Sequence, residues 1–159
     1  MPLSFIGAYC VLVVAAGALF YVAFTDLKDF KVRNELIFLL VGLYFLFALL
    51  SGQWRSMYWN IAFAAFALVA MVYYYGQNLM SGGDVKILAA ASLWVGPIWA
   101  PIFAILLAIF IGAHAGLAKL GWVTVPHAGK HRRIPLAPSI AMALIATVVT
   151  RWVLFTASA

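Results

Sequence analysis

Two of the four acidic side chains lie where a carboxylate could do chemistry in an otherwise apolar chain. Asp26 follows the first apolar run, and Asp84 follows the small residues Ser81-Gly82-Gly83. Carboxylates at membrane depth are costly and usually serve a function. Two aspartates that share a site cannot both ionise easily, so they hold one proton between them. Such a pair can hydrolyse a peptide bond, because the ionised carboxylate draws a proton from water while the protonated one polarises the carbonyl.

Each of these aspartates also has a purely structural interpretation. Asp26 could pair with a nearby basic residue in an interfacial loop, and Asp84 could be a helix N-terminal acid favoured by the macrodipole. For Asp29 and Glu35, which lie in a charged segment, the structural interpretation is the better one. Lys86, two residues after Asp84, either stabilises an ionised aspartate or anchors the chain at the interface.

Composition assigns these residues to a membrane protein. Of the 159 residues, 67% are hydrophobic and 9% are charged, whereas a soluble domain is about a quarter charged. Long apolar runs with few charges predict transmembrane helices. The basic residues lie between these runs, so they indicate topology and lipid contact rather than nucleic-acid binding. We expect a single membrane-embedded domain over residues 1–159 and an all-α bundle.

The number of helices depends on the fourth apolar stretch. Hydropathy predicts five stretches, at residues 3–24, 36–50, 57–76, 86–119 and 134–155. The fourth is long for one span, and Gly96-Pro97 is a natural break within it. Two helices there put nearly every basic residue on one side of the membrane, leaving Arg55 and Arg151 on the other. The positive-inside rule therefore favours about six helices, with the basic side cytoplasmic.

The histidines carry weaker signals. His127 and His131 are four residues apart and could share a helical face as metal ligands. Gly129 and the basic neighbours favour a solvated loop instead, and no third ligand is evident. His114 falls in a membrane helix, where packing or a bond between helices is favoured over a catalytic role. We therefore expect no metal and no cofactor.

The first aspartate segment resembles a motif of the type IV prepilin peptidases. In that motif an Asp is followed by a basic stretch and then Ile-Pro-Asn. Within residues 25–34, Asp26 and Asn34 fall on the Asp and the Asn, while Val32 and Arg33 replace Ile and Pro.

The second segment resembles the same family's Gly-x-Gly-Asp-x-Lys-Leu motif. Gly83, Asp84 and Lys86 match it, and Ser81 stands where the first Gly is usual. Residues 134–141 also resemble the family's later Ile-Pro-x-x-Pro segment, which opens the last helix. The resemblance covers most of the chain, with the segments in order.

The resemblance implies an intramembrane aspartic protease with Asp26 and Asp84 as its catalytic pair, supported by Asn34, Gly83 and Lys86. It implies a multi-pass protein of the bacterial inner membrane that removes short basic leaders from prepilins or pseudopilins at the cytoplasmic face. Its partners would be the substrate helix and membrane lipid. Paired Cys-x-x-Cys motifs of the larger, methylating members are missing, so the chain resembles the small form that accompanies Flp (Tad) pili.

Three other functions remain open from the sequence. A small cation or proton transporter would use Asp26 and Asp84 as ion sites, although repeated halves are not evident. A catalytically inactive pilus-assembly scaffold of the same fold is compatible with the departures at Ser81 and Arg33. A different aspartic protease, such as a preflagellin or signal-peptide peptidase, is disfavoured by the match at Asn34 and by the Asp-x-Lys pattern.

Overall fold

The computed structural model describes residues 3–29, 33–78, 80–120 and 136–157. All secondary structure in these residues is helical: α1 (Leu3–Asp29), α2 (Asn34–Ser51), α3 (Trp54–Gly76), α4 (Gly82–Lys119) and α5 (Ala137–Ala157). The first four helices are long and apolar enough to cross a membrane, and the apolar part of α5, Ala137–Arg151, is shorter. The predicted all-α, multi-pass membrane bundle is thus confirmed.

Helix α4 consists of two helices joined at Gly96. This residue has φ 69° and ψ 177°, a conformation that is essentially restricted to glycine. A Cβ atom at Gly96 would also collide with the side-chain amide of Asn60 on α3. Pro97 follows and has no N–H to continue the helical bonding. The predicted break at Gly96-Pro97 is confirmed, and it divides α4 into halves at 82–95 and 97–119.

The second half of α4 returns to the end of the bundle where the first half begins. In one straight helix, His114 would lie about 45 Å from Asp84. Instead, the His114 Nδ1 atom lies 3.4 Å from the Ser139 hydroxyl oxygen. Ala137, two residues earlier, donates to Asp26, and Asn34, eight residues after Asp26, is bonded to Lys86 at the start of α4. These contacts bring His114 back to the end of the bundle where Asp84 lies, so α4 must reverse its direction at the break. The described residues therefore form six helical segments.

Two hydrogen bonds mark opposite ends of the bundle. At one end of α2, the Lys86 ammonium donates to the Asn34 side-chain oxygen over 2.8 Å. Beyond its other end, the Arg151 guanidinium donates to the Gln53 side-chain oxygen over 2.8 Å. Lys86 and Arg151 therefore lie at opposite ends, as the charge distribution predicts.

Helix α1 is longer than hydropathy indicates, which corrects the expected position of Asp26. The apolar run predicts a helix over 3–24, but α1 continues to Asp29 and holds Asp26 in its last turns. The Thr25 hydroxyl donates to the Val22 carbonyl oxygen within this extension. At 27 residues the helix is about 40 Å long, more than the hydrocarbon core of a bilayer. Hydropathy detects only the part of such a helix that lies in lipid.

The neighbouring helix ends also differ from the prediction. Hydropathy leaves residues 25–35 between the first two helices, but α2 already begins at Asn34, and residues 30–32 lie outside the described part of the chain. Helix α5 begins at Ala137. Pro138 falls in its first turn, where the missing N–H would have no helical partner anyway.

Trp94 holds the first half of α4 against α2. Its indole N–H donates to the Leu40 carbonyl oxygen over 3.1 Å. Its ring packs edge-on against Tyr44, with centroids 5.6 Å apart, and against Phe47 at 5.8 Å. Because a buried indole requires an acceptor for its N–H, this contact fixes the rotation of the half-helix that begins beside Asp84.

Candidate active site

Asp26 joins α1 to the start of α5. Its side chain is buried, with the residue 8% exposed, and its Oδ2 atom accepts a hydrogen bond from the backbone N–H of Ala137 at 3.4 Å. Ala137 is the first residue of α5 and is fully buried. The first N–H groups of a helix lack partners within it and carry partial positive charge. The Asp26 carboxylate thus satisfies one of these donors from another helix.

Asp84 closes a reciprocal capping box at the start of α4. The Ser81 N–H donates to Asp84 Oδ2 at 3.3 Å, and the Asp84 N–H donates to the Ser81 hydroxyl oxygen at 3.2 Å. This pattern satisfies two donors at a helix N-terminus. Asp84 thus lies at a helix N-terminus, and Ser81 acts as the N-cap in place of the usual glycine. A carboxylate has about four acceptor positions, so these contacts leave room for a proton or a water.

The two aspartates lie at the same end of the bundle, because Asp26 accepts from Ala137 at the start of α5 and the segment of Asp84 is bonded through Lys86 to Asn34 at the start of α2. Asp26 is buried and Asp84 is half-buried. The fold thus brings the two residues singled out in the sequence to one end of the bundle.

Lys86 and Asn34 join the two aspartate segments directly. The Nζ–Oδ1 bond of 2.8 Å connects the first turn of α4 to the first residue of α2. Neither expected role of Lys86 includes this bond. Sequence reasoning identified both residues as motif positions but gave no signal that they touch. The nearby pair of Arg33 and Glu35, 2.7 Å apart, is largely exposed and contributes little to stability.

One comparison with known proteins gave a match. The family model for the type IV leader peptidase family matches residues 13–117, more than half of the chain. The chain belongs to the type IV leader peptidase family. Family membership makes it a peptidase, and the matched range includes both aspartate segments but ends before the segment at 134–141. Comparisons with curated proteins and with solved structures gave no match.

Gly83 lies in the first turn of the peptidase's α4, between the N-cap and Asp84, and is half-buried. Its conformation is helical, so the backbone angles there do not require glycine. What glycine provides at this position is small size, which keeps the surface beside Asp84 free of a side chain.

His114 forms a contact at the same end of the peptidase. Its Nδ1 atom lies 3.4 Å from the hydroxyl oxygen of Ser139, a residue 3% exposed. Its Nε2 atom is buried and has no hydrogen-bond partner among the described residues. The expected bond between helices is confirmed. His127 and His131 lie outside the described residues, within which no cluster of three or more metal-ligating side chains occurs.

Proposed function

We propose that the protein is a prepilin leader peptidase that removes short basic leaders from Flp-type or type IV-like prepilins or pseudopilins. The observation that carries this proposal is the placement of buried Asp26 at the same end of a leader-peptidase bundle as Asp84, whose segment is bonded through Lys86 to Asn34. Both segments that supply these aspartates lie inside the family match. Family membership supports peptide hydrolysis, and the paired carboxylates supply a way to perform it.

The reaction requires only the two carboxyl groups and a water. The ionised aspartate accepts a proton from the water as its oxygen attacks the scissile carbonyl carbon. The protonated aspartate gives its proton to the carbonyl oxygen, and a tetrahedral diol forms. Collapse of the diol breaks the C–N bond: the proton first taken from water passes to the leaving nitrogen, and the other aspartate takes a proton from a diol hydroxyl, whose oxygen becomes the new carbonyl oxygen. Peptide and water thus become a carboxylic acid and an amine, and the aspartates regain one proton between them.

The surrounding groups hold the carboxylates in place for this chemistry. The Ala137 N–H fixes Asp26, and the Ser81 N–H fixes Asp84. The bond between Lys86 and Asn34 holds the start of α4 against the start of α2. Positioning of this kind matters because small displacements of reacting groups cost large factors in rate.

The substrate chemistry follows from where the aspartates lie. They sit at the end of the bundle that holds Lys86, which the positive-inside rule makes cytoplasmic in a bacterial inner membrane. A prepilin has a basic leader followed by an apolar helix. Its helix would lie in lipid while the junction with the leader reaches the interface beside the aspartates. The 159 residues hold a single cysteine, Cys10, and therefore no paired Cys-x-x-Cys motif.

The test is cleavage of a candidate prepilin co-expressed with the wild type or a variant, read as a mobility shift on a gel. We expect cleavage by the wild type and none by Asp26→Asn or Asp84→Asn at equal expression. Glu35→Gln is the matched control, because Glu35 lies in a largely exposed ion pair with Arg33, and it should cleave normally. Normal cleavage by either aspartate variant would contradict the pair. A wild type that cuts none of several prepilins would favour the scaffold or the transporter, and proton flux into liposomes separates these two.

A further inference from the structure

An apolar groove runs along the seam between α1 and α5. It encloses about 300 Å³ and has Trp94 among its lining residues. Val13 and Ala16 line its α1 side, and Ile145 and Val148 line its α5 side. Val13 is 72% exposed, so the groove opens toward the surroundings of the bundle.

The groove starts at the same depth below the candidate active site on both helices. Leu19 precedes Asp26 by seven residues, and Leu144 follows Ala137 by seven residues. Seven helical residues correspond to about 10 Å along the helix axis. Between the groove and Asp26, Val22 on α1 is fully buried. The groove and the Asp26–Ala137 bond therefore lie along the same seam between α1 and α5.

The lining restricts the chemistry of the occupant. It consists of aliphatic and aromatic side chains, and the polar atom of Trp94 donates to the Leu40 carbonyl oxygen. The indole N–H therefore offers no free donor to a ligand. The small side chains of Ala15 and Ala16 allow a neighbouring backbone to approach closely, as at contacts between membrane helices. Such a surface fits an apolar helix and does not fit a charged peptide.

We propose that this groove is the docking surface for the apolar helix of the substrate. The proposal rests on the function proposed above and adds the path by which the substrate leaves the aspartates. A chain cut beside Asp26 must continue into the bilayer, and the α1–α5 seam leads there from the Asp26–Ala137 bond. The 10 Å between that bond and the groove is spanned by about three extended residues. The substrate thus presents an extended segment to the aspartates and a helix to the groove.

Crosslinking tests the location, with a matched pair of valines. Cys10 is replaced by Ala, and a single cysteine is introduced as Val13→Cys in the groove or Val69→Cys on α3. The two valines are 72% and 71% exposed, so their accessibility to lipid is alike. A prepilin with one cysteine in its apolar helix is co-expressed, and disulfide-linked adducts are measured in membranes. We expect roughly tenfold more adduct at Val13 than at Val69, the ratio that about 1.4 kcal/mol of preferential docking gives. Equal yields would overturn the proposal.

Filling the groove provides an independent measurement. Ala16→Trp occupies the groove, whereas Ala70→Trp adds the same bulk to α3. We expect Ala16→Trp to raise KM for the full prepilin by roughly tenfold while kcat stays nearly unchanged, since docking is weakened but not the chemistry. Ala70→Trp should behave as the wild type. Unchanged KM in Ala16→Trp would contradict the proposal.

A lipid acyl chain is the other apolar occupant of a groove at this depth. A lipid with a photoreactive acyl chain should label the groove less when substrate is present in excess. Undiminished labelling during active cleavage would assign the groove to lipid and overturn the proposal.

Failure of the proposed function would give a different result, because the wild type would then cleave no prepilin. Cleavage that depends on Asp26 and Asp84, together with equal crosslinking at Val13 and Val69, would refute the groove alone.

Discussion

The Lys86 ammonium donates to the Asn34 side-chain oxygen over 2.8 Å, across 52 positions of sequence. Asn34 opens α2, and Lys86 lies in the first turns of α4, two residues after Asp84. The bond therefore ties the segment of one candidate catalytic aspartate to the segment of the other. A hydrogen bond from a charged donor is stronger than one between neutral groups.

A double-mutant cycle on this pair should show coupling. Lys86→Met and Asn34→Leu should each lower kcat/KM, and the double variant should be little worse than either single variant. Because both substitutions remove the same hydrogen bond, we expect a coupling energy of about 1 kcal/mol, or roughly a fivefold factor in kcat/KM. Lys86→Arg retains a donor and should keep part of the activity. Strictly additive losses would show that the two residues act separately.

Asp26→Asn and Asp84→Asn should each lower cleavage by a factor on the order of 10² to 10⁴, the usual contribution of a general acid or base. The asparagine side-chain oxygen can still accept from the Ala137 or Ser81 N–H, so both variants should insert and fold. The measurement is initial cleavage rate alongside the thermal transition in detergent. A variant that loses activity only in proportion to a lowered transition temperature would indicate a structural role for that aspartate.

Substitutions at Ser81 measure how much the N-cap of α4 contributes to stability. Ser81→Ala removes the oxygen that accepts from the Asp84 N–H and should cost about 1 kcal/mol of stability. Ser81→Gly, which restores the residue usual in the family motif, should cost only a few tenths of a kcal/mol, since glycine is a tolerated N-cap. Thermal unfolding of both variants in the same detergent gives the comparison. Equal destabilisation by alanine and glycine would show that the capping bond does not contribute.

Gly96→Ala should be among the most destabilising single substitutions in the chain. Its backbone conformation costs a non-glycine residue about 1–3 kcal/mol, and the collision with Asn60 adds about 1–3 kcal/mol of overpacking. Adding Asn60→Ala should recover the packing part and leave the backbone part.

Gly42→Ala provides the matched control for that prediction. Gly42 lies within α2, and a Cβ there meets nothing within 4 Å. Alanine is the better helix former by about 1 kcal/mol, so this variant should be neutral or more stable. If Gly96→Ala unfolds at the same temperature as Gly42→Ala, the break does not require glycine.

The features that sequence predicted are those set by local chemistry or by the bilayer. The Gly96-Pro97 break is visible because glycine and proline together interrupt helical bonding, and the separation of Lys86 from Arg151 follows from charge. The position of Asp26 within α1 was missed because the apolar run ends before the helix does. The contacts of Asp26 with Ala137 and of Lys86 with Asn34 depend on helix packing, which no local pattern encodes.

The partner of Asp26 at the start of α5 belongs to the main chain, and this affects how the site can evolve. Every amino acid except proline supplies a backbone N–H, so the identity of residue 137 can drift without loss of the bond. Selection at that position acts on volume instead, because Ala137 is fully enclosed. A contact that orients a central carboxylate can thus persist among relatives that share no side chain at this position.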